Sequence, residues 1–307
     1  MPVIQRIKHT SYQDIVSKYF TQTLDNLPFD MRFFTTVLIL FIAWSCFGQE
    51  FVRRTFKDTR VINTHTVETL QKRKLDIRIG HRFGDLKGGW NTLYGLETAT
   101  DVMIGADYGI TDDLNVGLHR TKGAGPLTQL VNTSVKYRFL KQSDTGSPIT
   151  ATALGLWTTS TMQRDQSSEF ILNNFDKFSH RFILGGQLMI ARKFSEKFSL
   201  QLTPSYIHRN VVAFDEENGT VSFGGALRYQ LTKVMGVIAD VTYPLGDTDA
   251  KAAIGIGLEI DTGGHVFQVN FTNARGIAET DYIPNNQSTW GDGQIRLGFT
   301  ISRVFNL

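Results

Sequence analysis

Apolar and polar residues take turns along this chain from residue 74 onward, in segments of about ten residues. That period of two belongs to a β-strand with one apolar face. Leu75, Ile77, Ile79, His81 and Phe83 alternate with Asp76, Arg78, Gly80 and Arg82. Val131, Thr133, Val135, Tyr137 and Phe139 alternate with Asn132, Ser134, Lys136 and Arg138. The pattern recurs through 102–110, 114–118, 177–193, 198–206, 221–231, 235–243, 252–260, 265–271 and 295–305. The stretch 148–158 is mixed and carries the weakest strand signal. Counted together, these segments predict twelve strands.

The links between them are short and long by turns. Residues 111–113, 141–147, 195–197, 232–233 and 261–264 are tight connections, and 84–101, 119–130, 159–176, 209–220, 245–251 and 273–293 are mostly longer. An antiparallel meander with short links at one end and long links at the other predicts an all-β, up-and-down transmembrane barrel. Its short turns would face the periplasm and its longer loops the outside. Strand lengths suit the roughly 9–11 tilted residues that cross a bilayer. Aromatic residues near strand ends (Phe83, Tyr108, Phe139, Phe178, Phe198, Tyr206, Tyr229, Tyr243) suit interfacial girdles. An open sheet edge in lipid would leave backbone groups unpaired, so strand 74–83 is expected to pair with strand 294–305. Arg303 falls on the nominal lipid face and is expected at the interface, where its charge is tolerated.

Residues 31–48 have the layout of a secretory signal. Arg32 is the basic start, Phe33 to Ala43 the apolar run, and small residues precede an expected cleavage between Gly48 and Gln49. The apolar run is too short to span a bilayer, which takes roughly 20 helical residues. Residues 1–30 read as an upstream artefact or extension, 49–73 as a periplasmic N-terminal segment, and 74–307 as the barrel. The 49–73 segment is too patterned for a simple tail, because Phe56, Val61 and Ile62 call for burial. It could plug the periplasmic mouth or hang as a mobile tether. The sole cysteine, Cys46, lies in the signal, so the exported chain would rely on a core or a closed sheet instead of disulfides.

Charge excludes one class of partner. The chain holds 32 basic and 29 acidic residues, and the leader takes only four of the first and three of the second. A nucleic-acid binder usually shows a strong basic excess. No metal site is expected, because the seven His are dispersed with no His-x-x-x-His pair. No enzyme and no cofactor are expected either. Ser205 and His208 are close in sequence but, at odd spacing, lie on opposite faces of a strand, and no Gly-x-Ser-x-Gly elbow occurs.

The candidate functional residues are the polar strand positions expected to face the lumen. They are Asp76, Arg78, Lys136, Arg138, Gln187, Gln201, Arg228, Asp240, Glu259, Gln268, Asn270 and Arg296. They would line a selective polar pore, or fill a narrow lumen as a network of ion pairs and hydrogen bonds. Twelve strands lie between about eight, where side chains fill the interior, and about sixteen, where an aqueous channel opens. His81, Arg82 and Asp85 at the top of the first strand form a second candidate cluster, as a ligand site or as a cap that orders loop 84–101.

The run Leu75-Asp-Ile-Arg-Ile-Gly-His-Arg-Phe-Gly84 resembles the first barrel strand of the DUF5777 family of β-barrel proteins found in Bacteroidetes. The resemblance continues through Leu93-Tyr-Gly-Leu96, Ile104-Gly-Ala-Asp-Tyr-Gly-Ile-Thr-Asp-Asp-Leu-Asn-Val-Gly117 and Val135-Lys-Tyr-Arg-Phe-Leu-Lys-Gln142. Upstream it takes in Phe56–Asn63 and Thr66–Glu68, and it spans essentially 55–307. It implies a barrel in the outer membrane of a Gram-negative cell, with no assigned activity and no catalytic residues. The expected function is a narrow channel or substrate-specific porin for small polar solutes. The alternative is a closed structural or docking barrel for other envelope proteins, and a third reading is a membrane-embedded lipid hydrolase. Expected partners are outer-membrane lipid and either small polar solutes or envelope proteins, with no nucleic acid.

Overall fold

The computed structural model describes residues 54–143, 146–167, 171–246 and 248–307. The leader, the Gly48–Gln49 cleavage site and Cys46 lie outside the described residues. Twelve strands follow one another: β1 (Lys74–Asp85), β2 (Ala99–Gly109), β3 (Leu114–Thr121), β4 (Leu130–Leu140), β5 (Thr150–Ser160), β6 (Phe182–Lys193), β7 (Phe198–Arg209), β8 (Gly219–Gln230), β9 (Met235–Leu245), β10 (Ala253–Asp261), β11 (His265–Thr272) and β12 (Arg296–Asn306). Each pairs antiparallel with its sequence neighbours, and β1 pairs with β12 to close the barrel, with Lys74 opposite Asn306 and Gly80 opposite Thr300. Closure leaves the sheet no open edge, which is the condition for crossing lipid with strands.

The alternation sets the orientation of the wall residues, interrupted by register shifts between Arg82 and Asp85 and between Arg138 and Leu140. Leu118 and Ile104 are 59% and 54% exposed on the outer face, whereas Arg78 and Gln201 are fully buried inside. A soluble barrel would show the reverse. Aromatic residues collect toward both rims of the outer face. Trp157 meets Phe182 edge-on at 5.2 Å, and His81 stacks on Phe299 at 5.5 Å. Arg303 faces outward near the rim with its guanidinium 4.9 Å from the Phe305 ring.

Two departures from the sequence reading have local causes. The strand expected from 177 begins only at Phe182, because Phe178–Arg181 form a 3-10 turn. There Arg181 donates to the carbonyls of Ser160 and Met162 and covers the Phe175 ring, which bends the chain over the barrel end. The mixed stretch near 150 is a full strand, β5, whose inner face carries Leu154 and the partly buried Leu156. These face an apolar filling inside the barrel, so the alternation there breaks down.

Candidate functional site: a lumen filled from both ends

The described part of the N-terminal segment, Arg54–Arg73, lies inside the barrel at the short-turn end. Its backbone folds back on itself, with Val61 N–H donating to Thr64 O and Thr66 N–H donating to Thr59 O. Phe56, Val61, Ile62 and Val67 pack against Leu154, Met189, Ala191, Ala226 and Ile238 from β5, β6, β8 and β9. Each such side chain, withdrawn from water, contributes on the order of 1.5–3 kcal/mol.

Wall residues then satisfy the segment's polar groups. Asp240 accepts from the amides of Asn63 (2.6 Å) and Thr64 (3.3 Å) and from Asn63 Nδ2 (2.7 Å), which caps the turn. Gly255 opposes this turn, and a Cβ there would lie 2.7 Å from the Ile62 side chain. Arg78 donates to both carboxylate oxygens of Asp58 and to Asp76. Lys136 Nζ donates to three segment carbonyls, of Thr59, Thr66 and Glu68, at 3.1–3.2 Å. Gln201 brackets the chain by accepting from Val67 N–H and donating to His65 O, both at 2.8 Å. Gln268 donates to Arg60 O, and Thr152 donates to Val67 O. Within the segment, Glu68 accepts from the amides of Thr55 and Phe56, and burial raises its pKa.

The other end is filled by the β11–β12 loop, residues 273–295. It turns inward and forms a short helix, α1 (Glu279–Asn285), in which Glu279 through Pro284 are all buried. Tyr282 and Ile283 pack with Leu127, Leu130, Phe175, Ile183, Ile207, Ala253 and Ala274. Asp281 accepts from the amides of Ala124 (2.8 Å) and Gly125 (2.9 Å) in the β3–β4 loop. Burial, reinforced by the negative charge of Asp101, pushes the Asp281 pKa up to about 7. Asp101 accepts from the amides of Ile277 and Gly123.

The two inserts meet in mid-barrel. Arg60 donates to Glu279 Oε2 at 2.8 Å, and His65 N–H donates to Glu279 Oε1 at 3.1 Å. Arg60 also lies 2.8 Å from His65 Nε2. Burial first, and the Arg60 charge second, drive the His65 pKa well down. The ring is therefore neutral and accepts at Nε2. Arg82 from β1 ties the inserts together, donating to Asn63 Oδ1 on one and to the carbonyls of Ala274 and Gly276 on the other. A void of about 20 Å³ remains beside Arg60, His65, His119 and Glu279, room for about one water. Below the segment, a vestibule of about 1150 Å³ opens at the short-turn end, with Phe56, Asp58, Glu68, Asp76 and Arg228 among its lining.

Of the strand positions singled out from sequence, Asp76, Arg78, Lys136, Gln201, Asp240 and Gln268 gather around the N-terminal segment. Gln187 bonds to Ser205, and Arg228 pairs with Glu259 at 2.6 Å. Asn270 is buried in the wall, and Arg296 reaches Asn273 O and Asp85. Arg138 sits at the rim on Asp113 and the Asp112 carbonyl, away from mid-lumen. His81, Arg82 and Asp85, expected as a ligand site or as a cap that orders loop 84–101, take separate partners. Strand alternation turns His81 outward onto Phe83 and Phe299 and Arg82 inward, while Asp85 caps Lys87 N–H. Sequence reasoning passed over Asp58, Arg60, Asp101, Glu279 and Asp281. The signal was present in 273–295, because an exposed loop has no use for Ile277-Ala278 and Tyr282-Ile283.

A family model described as a membrane-bound β-barrel domain, DUF5777, matches residues 56–305. No curated protein matches the chain. Solved structures with a similar outline include the NanC porin, at 10% identity and TM-score 0.44, covering 76% of this chain and 99% of that one. They also include the KdgM porin in complex with disordered oligogalacturonate, at 9% identity and TM-score 0.47, with 76% and 99% covered. A third is the COG4313 outer membrane channel from Pseudomonas putida F1, at 14% identity and TM-score 0.44, with 78% and 98% covered. These likenesses concern the outline of the barrel alone.

Proposed function

The chain belongs to the DUF5777 family of membrane-bound β-barrels, and from that premise we propose that it is an outer-membrane barrel closed at rest by its own N-terminal segment, a gated conduit for small polar solutes. The observation that carries this reading is the nature of the obstruction. The lumen is blocked by two chain segments that are not strands, whereas the wall beneath them is largely polar (Asp76, Arg78, Lys136, Gln201, Asp240, Gln268). Withdrawal of the segment through the short-turn mouth would extend the vestibule inward along those residues. Such a lumen, lined with both signs of charge, suits small hydrophilic solutes over apolar ones.

A second reading has its own observation. Leu154, Met189, Ala226 and Ile238 form an apolar patch on the inner wall, matched to Phe56, Val61, Ile62 and Val67. An aqueous pore gains nothing from such a patch, whereas a permanently filled barrel that docks other envelope proteins does. Single-channel recording in planar bilayers separates the two, using the full chain and a variant lacking 55–68. The gated conduit expects a silent full chain and steady openings from the deletion variant. Silence from both, and from a folded deletion variant in which 276–293 is also replaced by a short Gly/Ser linker, would move the reading to the docking barrel. Steady openings from the full chain would rule out closure by the segment.

A further inference from the structure

We infer that the N-terminal segment and the 273–295 loop form one coupled element, so that displacement of the loop at the long-loop end of the barrel loosens the segment at the opposite mouth. The barrel would thereby relay the occupancy of one membrane face to the other, whether or not it passes a solute. The inference rests on shared partners. Both carboxylate oxygens of Glu279, in the loop, are held by the segment, through Arg60 Nη2 and His65 N–H. Arg60 in turn reaches the loop a second time at Ile277 O. Arg82 divides its guanidinium between Asn63 on the segment and two carbonyls of the loop.

All of these groups are buried. If the loop left alone, Arg60 would stay in the lumen without its carboxylate. If the segment left alone, Glu279 would stay without its donors. A buried charge stripped of its partner is strongly unfavourable, so states with one insert in and one out are disfavoured relative to both in or both out. Coupling of this kind is reciprocal: whatever stabilises the docked loop stabilises the docked segment by the same factor. The paired inserts, docked together or released together, would be the bistable element that such a relay requires. Asn63, at the segment's turn, is held by Asp240 from β9 as well as by Arg82 from β1, so its release frees two sides of the wall at once.

Trypsin provides a readout that conductance does not. Cleavage after Arg60, buried within the barrel, requires the segment to leave the lumen, because the protease cannot enter it. The full chain in lipid vesicles is compared with a variant in which 276–293 is replaced by a short Gly/Ser linker, and with Glu279→Gln. Coupling expects cleavage after Arg60, followed by mass spectrometry, to accelerate at least tenfold in the linker variant and severalfold in Glu279→Gln. A rate within twofold of the unmodified chain in a folded linker variant would overturn the inference. If that variant does not fold, Glu279→Gln decides by the same criterion. A barrel that never conducts but shows the acceleration would retain the relay and lose only the gated-conduit reading.

Discussion

The two inserts occupy the same lumen but are built differently. Among the described residues the N-terminal segment runs into the barrel at Lys74, and strand side chains hold it: Arg78, Lys136, Gln201, Asp240 and Gln268 reach its backbone and its aspartate, Asp58. The 273–295 loop is tethered at both ends, and other loops and strand termini hold it, through the Ala124 and Gly125 amides, Asp101, and Trp290 on Ile254 O. On the proposed reading the segment is a stopper that leaves as a unit, and the loop, tethered at both ends, is a cover that swings. The difference teaches where the energy of closure sits: for the segment it is written into the wall, and for the loop into the loops around it.

The sharpest way to break the comparison is Arg78→Ala. It leaves Asp58 of the segment and Asp76 of the wall facing each other without their shared cation, and breaking a buried pair costs about 3–5 kcal/mol. Hydrogen exchange of residues 55–68 should show lost protection; retained protection would mean that the wall's charges do not hold the stopper.

Next in size is a matched pair, Ile62→Ala beneath the segment and Ile283→Ala beneath the loop. Each removes a buried side chain at about 2–5 kcal/mol. Single-channel recording should give more openings than the full chain for both variants, because the inserts leave together, and longer ones for Ile62→Ala, whose weakened seat slows the segment's return. Equal open times would erase the distinction between stopper and cover.

The third effect is pH-dependent and belongs to the loop. Asp281 keeps its proton up to about pH 7 when docked, against an ordinary value of 3.8 when released. Between those values only the docked state holds the proton, so docking is firmest below about pH 4 and weakens as pH rises to about 7, above which it levels off. Asp101 is the acidic group facing it, and Asn285 and the Ala124 and Gly125 amides complete its surroundings. Exchange in 276–285, corrected for intrinsic rates, should be faster at pH 8 than at pH 5, and Asp281→Asn should flatten the difference. Protection that rises with pH would contradict the assignment.

The smallest expected effect is at the rim. Glu196 is solvent-exposed opposite Lys193, so Glu196→Gln should change stability by less than about 0.5 kcal/mol and leave both inserts unmoved. A larger shift in thermal unfolding would show that the rim contributes to closure.

Much of the wall could be read from the chain alone. The period-two pattern determined the number of strands and which side chains face inward, because a strand has no other way to present its residues. Short and long links placed the two ends, and the need to pair every backbone group in lipid demanded that β1 meet β12. Apolar Phe56, Val61 and Ile62 marked the N-terminal segment as one that needs burial. What fills the lumen was decided only in three dimensions. Arg60 and Glu279 are 219 residues apart in sequence and Asn63 and Asp240 are 177, and no local pattern links either pair. The inner faces of β5 and β6 depart from alternation because they pack on the inserts, a departure that has meaning only once the inserts are in place. The strand period is a local property of the backbone, whereas the filling depends on which charges and cavities closure brings together.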